Sequence, residues 1–192
     1  EIKVRPIDKR DHYVKRCIAI SGDSIEVING DVFINGQRGV DPDGMQFKYT
    51  LDGTPLTRKK LKDFGVNESY LNNNNQQVLV LTNTEVEQME NKDYILSKEL
   101  YKSNTGFLHI YPHQPKAIKW NRDNFGPLRV PAKGMTIELN GKNLALYKRC
   151  IEAYEENKIN VKGGKVYINN EHVETYTFKR NYYWMMGDNR HN

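Results

Sequence analysis

The stretch Tyr13-Val14-Lys15-Arg16-Cys17-Ile18-Ala19-Ile20-Ser21-Gly22-Asp23 alternates like a β-strand and ends in a turn. Val14, Ile18 and Ile20 fall on one face at period two with Arg16, while Tyr13, Lys15, Cys17 and Ala19 fall on the other. Lys15 is thereby placed in an apolar row. An amine in such a row either snorkels to water at a strand end or is held partly dry, and a dry amine gives up its proton more easily. Residues 1 to 11, charged and carrying Pro6, read as a loop or edge segment that leads into this strand.

Working outward, Ile25 and Val27, the dipeptide Asn29-Gly30, then Val32 and Ile34 spell a hairpin, because Asn-Gly supplies the positive φ of a tight primed turn. Asn35-Gly36 turns the chain again. The same spacing returns late, with Ile159, Val161, Gly164, Val166, Tyr167, Ile168 and Asn169 in matching places. Either an ancestral duplication or shared hairpin chemistry accounts for it. The two hairpins bracket the rest of the chain and divide it into a β core of residues 1–36 and 159–192 and an insertion lobe of mixed structure over 37–158.

Within that lobe, residues 37–56 are rich in Gly, Asp and Pro and are expected to be mainly loop. Thr57 can cap a short helix from Arg58 to Phe64, and Gly65 stops it. Gln77 to Leu81 reads as a strand, and Thr84-x-x-Glu87 has the pattern of a capping box opening a helix that runs to about Asn91. Phe107 to Tyr111 is strand-like, and Pro112 to Pro131 is punctuated as loop. Met135 to Leu139 alternates as a strand. The clearest helix follows, with Asn140 as N-cap, Asn157 as stop, and a core stripe of Leu144, Tyr147, Cys150, Ile151 and Tyr154. His172 to Phe178 and Tyr182 to Met186 are the last strands. The fold class is therefore mainly β with a few short helices.

Composition bounds the function classes. The net charge is +5 and the basic residues crowd the first sixteen positions, which suits acidic lipid head groups or, more plainly, a solvated face. The aromatics lie along strand-like segments and are not interleaved with arginines on one stripe, so a nucleic-acid partner is not expected. No apolar run reaches the ~18 residues of a membrane span. Cys17 and Cys150 are too few for a disulfide framework or a zinc site; one bridge between them is open in an oxidising compartment, but with Cys17 on a strand and Cys150 on a helix, free burial is the preferred expectation. His109 and His113 stand four apart, but strand and proline context denies them the helical spacing of a metal pair.

At the far end, Tyr182-Tyr183-Trp184-Met185-Met186-Gly187-Asp188-Asn189-Arg190-His191-Asn192 is an apolar strand running into a polar turn. Alone, a Gly-Asp-Asn turn is weak as a signal, since turns favour those residues anyway. Together with the lysine strand, in this order, it resembles the bacterial type I signal peptidases, membrane-anchored serine proteases that use a Ser-Lys dyad. That family has a Tyr-Ile-Lys-Arg-x-(Val/Ile)-Gly-Leu-Pro-Gly-Asp segment and an aromatic-Met-Met-Gly-Asp-Asn-Arg-x-x-Ser segment. Here Tyr13, Lys15, Arg16, Gly22 and Asp23 match the first, with Val14, Ala19, Ile20 and Ser21 departing from it. Met185 through Arg190 match the second.

The resemblance implies an antiparallel β catalytic core of signal-peptidase type with a large insertion, and a serine endopeptidase that removes signal peptides from exported proteins. Lys15 falls on the general base. Tyr13 and Val14 correspond to the strand on which an extended substrate is laid, and Arg16, Met185, Met186, Gly187, Asp188, Asn189 and Arg190 to residues that support the site. No cofactor and no metal are called for. The implied partners are signal peptides of exported preproteins and a membrane surface, met through an anchor outside this chain on the extracytoplasmic side of the cytoplasmic membrane.

The family's nucleophile lies upstream of the lysine in a Ser-Met-x-Pro context, which none of Ser21, Ser24, Ser69, Ser97 or Ser103 has. These 192 residues are accordingly expected to be inactive by themselves. A non-catalytic peptide-binding β domain on the same scaffold is the alternative, and a Ser-Lys self-cleaving repressor domain is disfavoured by the long insertion.

Overall fold

The computed structural model describes residues 14–101, 107 and 109–191. In chain order the strands are β1 Arg16–Ala19, β2 Ser24–Ile28, β3 Asp31–Ile34, β4 Gln37–Arg38, β5 Gln46–Leu51, β6 Glu68–Leu71, β7 Gln77–Thr82, β8 Leu96–Lys98, β9 Phe125–Arg129, β10 Thr136–Glu138, β11 Ile159–Lys162, β12 Lys165–Ile168, β13 Glu171–His172, β14 Thr175–Thr177 and β15 Trp184–Met186. The helices are α1 Arg58–Asp63, α2 Asn83–Glu90 and α3 Gly141–Arg149, the last running on as a π turn over Cys150–Tyr154. The fold is mainly β and its strand pairs are antiparallel.

The hairpin read from Asn29-Gly30 is present, with φ of 51° and 87° at its two turn residues and Val27 opposite Val32. Its late counterpart pairs Val161 with Val166 around Gly163-Gly164. The likeness goes beyond spacing. Asn35 Oδ1 accepts the Ser24 N–H and Asn169 Oδ1 accepts the Lys158 N–H, both at 2.9 Å. Gly39 N–H donates to Val32 O as Val173 N–H donates to Val166 O, and the side-chain amides of Asn35 and Asn169 reach Asp23 and Asn157. Each is thus a three-stranded meander, β2-β3-β4 and β11-β12-β13, tied by one set of bonds.

Among the described residues two hydrophobic clusters form, and they divide the chain differently from the 37–158 lobe read from the hairpins. The first holds Ala19, Ile25, Val27, Phe125, Leu128, Val130, Leu146, Tyr147, Ile151, Val166, Ile168 and Phe178. The second holds Met45, Phe47, Tyr49, Leu51, Leu61, Phe64, Leu79, Leu81 and Met89. Residues 118–151 therefore pack with the hairpins, and only about 45–96 form a separate cluster. The second is built on the sheet β6-β7-β5-β8, in which Phe47, Tyr49 and Leu51 alternate inward from β5 and Val78 to Leu81 of β7 are all buried. Burying each such side chain is worth about 1.5–3 kcal/mol.

Other expectations are corrected in detail. Residues 37–56 contain β5, a strand with neighbours on both sides, because Gln46 to Leu51 alternate between two punctuated loops. Residues 112–131 contain β9, which tolerates Pro127 because it is the edge strand of β4-β3-β2-β9. Its pairing with β2 is bulged at Gly126, where an added Cβ would lie 2.6 Å from Ile25 O. Phe107 to Tyr111 forms no strand among its described residues, since Ile110 N–H and His113 N–H fold back on Phe107 O and Ile110 O as turns.

The capping box of α2 is Thr82-x-x-Glu85 rather than Thr84-x-x-Glu87. That register buries Met89 completely. Helices α1 and α3 start at the expected caps, Thr57 and Asn140. Tyr154, however, is half exposed, because the π turn rotates the last residues off the apolar stripe.

Candidate active site

The first strand and the last are neighbours. Arg16 lies opposite Met186 and Cys17 opposite Met185, with a bulge before Ala19 opposite Trp184. Continued by one residue, this register sets Lys15 opposite Gly187, and the coordinates agree: a Cβ built on Gly187 would lie 2.8 Å from Lys15 Nζ. The lysine side chain crosses the bare glycine backbone, so the residue without a side chain and the amine that lies against it come from opposite ends of the chain.

The bulge changes the facing read from sequence. Alternation would put Lys15 and Cys17 in one apolar row with Ala19, but the extra residue turns Ala19 into the core while Lys15 and Cys17 stay exposed. Cys17 is consequently not the buried cysteine expected; both cysteines are free, and Cys150 alone is buried. Burial pushes the Cys150 thiol up to about 11. Met185 is half exposed beside Cys17, whereas Met186 packs on the first cluster.

Arg16, next to the lysine, donates two hydrogen bonds to Asp188: Nε to Oδ1 at 3.0 Å and Nη2 to Oδ2 at 2.8 Å. These bonds hold the Asp188 carboxyl below the usual carboxylate range. The backbone of the same turn is pinned from the other side. Gln46 N–H donates to Asp188 O and Arg190 N–H to Gln46 O, each at 2.9 Å, which makes a parallel rung between Gln46 and Asn189. Burial lowers the pKa of the Arg190 guanidinium, and Asp188 and Asp41 oppose that fall; its Nη1 lies 3.7 Å from Met186 Sδ.

The Gly22-Asp23 turn is fastened rather than reactive. Ser21 Oγ donates to Tyr182 O at 2.9 Å, and Asp23 accepts the Ile20 N–H and the Asn35 side-chain amide, which keep its carboxyl below its ordinary value. Val14 is 92% exposed at the head of β1. Tyr13, the other substrate-strand residue read from sequence, lies outside the described residues. Strand β1 pairs with β15 alone among the described strands, leaving its second edge open to an extended chain.

Sequence reasoning missed two buried acids. Asp123 meets His191 across the junction of the two clusters. Glu155 accepts hydrogen bonds from Lys179 N–H, Arg180 N–H, Tyr176 OH and Tyr182 OH and so brackets the approach to β15. His191 carried a signal, since it adjoins the Gly-Asp-Asn-Arg turn; Asp123 and Glu155 carried none.

An antiparallel β framework thus brings Lys15, at the head of β1, against the Gly-Asp-Asn-Arg turn that follows β15. The chain belongs to the signal peptidase family, peptidase S26, whose model matches residues 2–105. The matched span contains the lysine strand and ends before the Gly187–Arg190 turn, so the β1–β15 pairing joins to it a motif outside the match. No curated protein and no solved structure matches the chain significantly.

Proposed function

We propose that this chain carries the general-base part of a Ser-Lys signal peptidase, with Lys15 as the base and the nucleophilic serine supplied by a segment outside these 192 residues. The observation that carries the reading is the Lys15 amine lying against Gly187, with the Arg16–Asp188 pair beside it. In the reaction the neutral amine takes the proton of the serine hydroxyl as its oxygen attacks the scissile carbonyl, then returns it to the leaving amine. Only a neutral amine can take that proton, and burial favours the neutral form of an amine. The serine segment and the bound substrate would therefore have to cover Lys15 to make it an effective base.

The open edge of β1 at Val14 would take the substrate as an added strand, and Tyr13 is proposed to share that role. Signal peptides presented at the extracytoplasmic face of the cytoplasmic membrane are the proposed substrates, and the membrane anchor is proposed to lie outside this chain.

The test is complementation. The 192 residues alone should not cleave a signal-peptide substrate with small residues before the scissile bond, whereas the chain extended upstream through a Ser-Met-x-Pro segment should. Cleavage by the 192 residues that vanishes on Lys15→Ala would show that the nucleophile is already present and overturn the proposal.

A further inference from the structure

The turn beside Lys15 is also held from beneath. His191 follows Arg190 directly, and its side chain is fully buried with that of Asp123, Nε2 to Oδ1 at 2.8 Å. Its other nitrogen, Nδ1, accepts the Lys48 N–H at 3.2 Å. The ring is thus a bridge with both nitrogens in use. The ring also stands edge-on to Phe47 at 5.0 Å.

Asp123 is itself fixed on every side. Its Oδ2 accepts the Tyr101 N–H at 2.9 Å, its N–H donates to Asn121 Oδ1 at 2.9 Å, and its carbonyl accepts the Gly30 N–H at 2.9 Å. Burial raises the Asp123 carboxyl, but His191, the Tyr101 N–H and the Arg122 guanidinium together outweigh it and leave it below its ordinary value. Gly30, the tip of the β2–β3 hairpin, presses on Phe47 so closely that a Cβ there would come within 3.0 Å of the ring. Arg122 Nη1 donates to His191 O at 3.2 Å. The first cluster, the second cluster and the turn over Lys15 therefore meet at one pair of side chains.

The neighbouring fastenings do not do the same job. The Arg16–Asp188 pair is solvent-exposed, its side chains 51% and 33% accessible, and exposed pairs hold a geometry weakly. The Gln46 rungs occupy the edge of β5 that β8 leaves free, because β8 pairs only with Tyr49 to Leu51. Backbone rungs carry no side-chain identity and tolerate slippage. A buried Asp–His pair is a poor source of stability compared with apolar packing, and its best-attested use is to fix register.

We propose that Asp123 and His191 are positioning residues for the peptidase site: their buried clasp sets where Gly187 lies over the Lys15 amine, and so sets the rate of the chemical step rather than substrate affinity. The inference rests on the reading of Lys15 as the base. Neither side chain is placed to touch substrate.

The two bonds of His191 can be removed separately. In His191→Gln the amide N–H replaces Nε2 and keeps the Asp123 bond, whereas in His191→Asn the amide oxygen replaces Nδ1 and keeps the Lys48 bond. Asp123→Asn leaves His191 in place with an uncharged partner. The full-length enzyme carrying each variant is assayed with a signal-peptide substrate at a temperature well below unfolding. His191→Asn and Asp123→Asn should lower kcat on the order of 10- to 100-fold with KM changed less than about twofold, and His191→Gln should retain more of kcat than His191→Asn. Leu51→Ala destabilises the same sheet at its far end, and kcat should stay within about twofold.

Amide hydrogen exchange at Gly187 to Arg190, measured on the full-length enzyme, should quicken in the two damaging variants and not in Leu51→Ala. Unchanged kcat in folded His191→Asn and Asp123→Asn, or an equal loss in Leu51→Ala, would overturn the clasp. Activity surviving Lys15→Ala in the same full-length enzyme would instead overturn the reading on which it rests.

Discussion

Gly187 and Lys15 share one volume of space. The amine lies where a glycine side chain would begin, 2.8 Å from a Cβ built there, and Gly187 is not among the positive-φ residues. Alanine is therefore conformationally acceptable at 187 and collides only with the free end of a flexible side chain, which can move at little cost to the fold. Gly187→Ala should change stability by no more than about 0.5 kcal/mol yet lower kcat of the full-length enzyme on the order of tenfold or more by displacing the amine. Equal kcat in the two proteins would remove Gly187 from the account. The two thiols test the burial pattern of the same strand. Cys17 is exposed, while burial raises Cys150 to about 11, so a thiol reagent at neutral pH should label Cys17 in the native protein and Cys150 only in denaturant. Mass spectrometry after native labelling should find one adduct, on Cys17.

At the scale of elements, the meanders and the approach to β15 depend on buried or bonded acids. Glu155, 6% exposed, stands at the end of the π turn and gathers two backbone N–H groups and two tyrosine hydroxyls from residues 176–182. Removing it takes the acceptor from two part-buried backbone N–H groups and from the buried Tyr176 hydroxyl, so Glu155→Ala should destabilise by roughly 1–3 kcal/mol, read from denaturant unfolding. A loss under about 0.5 kcal/mol would mean that water replaces the carboxylate without cost.

Asp23 fastens the first meander to β1 through the Ile20 N–H and Asn35. Its folded pKa is lowered, so its contribution is complete above the unfolded value of ~3.9 and is lost as pH falls through the folded value. Stability measured against pH should fall below about pH 4, and Asp23→Asn should flatten part of that slope. An unchanged slope in the variant would assign the acid sensitivity to other carboxylates.

For the whole molecule, much was legible because it is local. Asn29-Gly30, Thr57 and Asn140 act through neighbours a few residues away, and the structure uses them as the sequence suggests. The lysine strand and the final Met-Met-Gly-Asp-Asn-Arg stretch were legible as a pair because the family resemblance joins them, and β1 and β15 do pair. What failed was long-range or conflicting. The Gly and Pro on either side of Gln46 to Leu51 outweighed a strand alternation present in those six residues. Pro127 spoke against β9, since only the sheet order reveals an edge. The packing of residues 118–151 with the hairpins, and the choice of Asp123 by His191 68 positions away, leave no trace in local pattern.

Lys15 is proposed as the base of a peptidase site assembled from the two ends of this chain. The most direct measurement is the saturating rate of signal-peptide cleavage by the full-length protein and by its Lys15→Ala variant, with circular dichroism confirming an unchanged fold. The account predicts a fall of at least about a hundredfold, the usual scale of general-base loss, with substrate still bound. A folded Lys15→Ala enzyme that cleaves at the parent rate would contradict it.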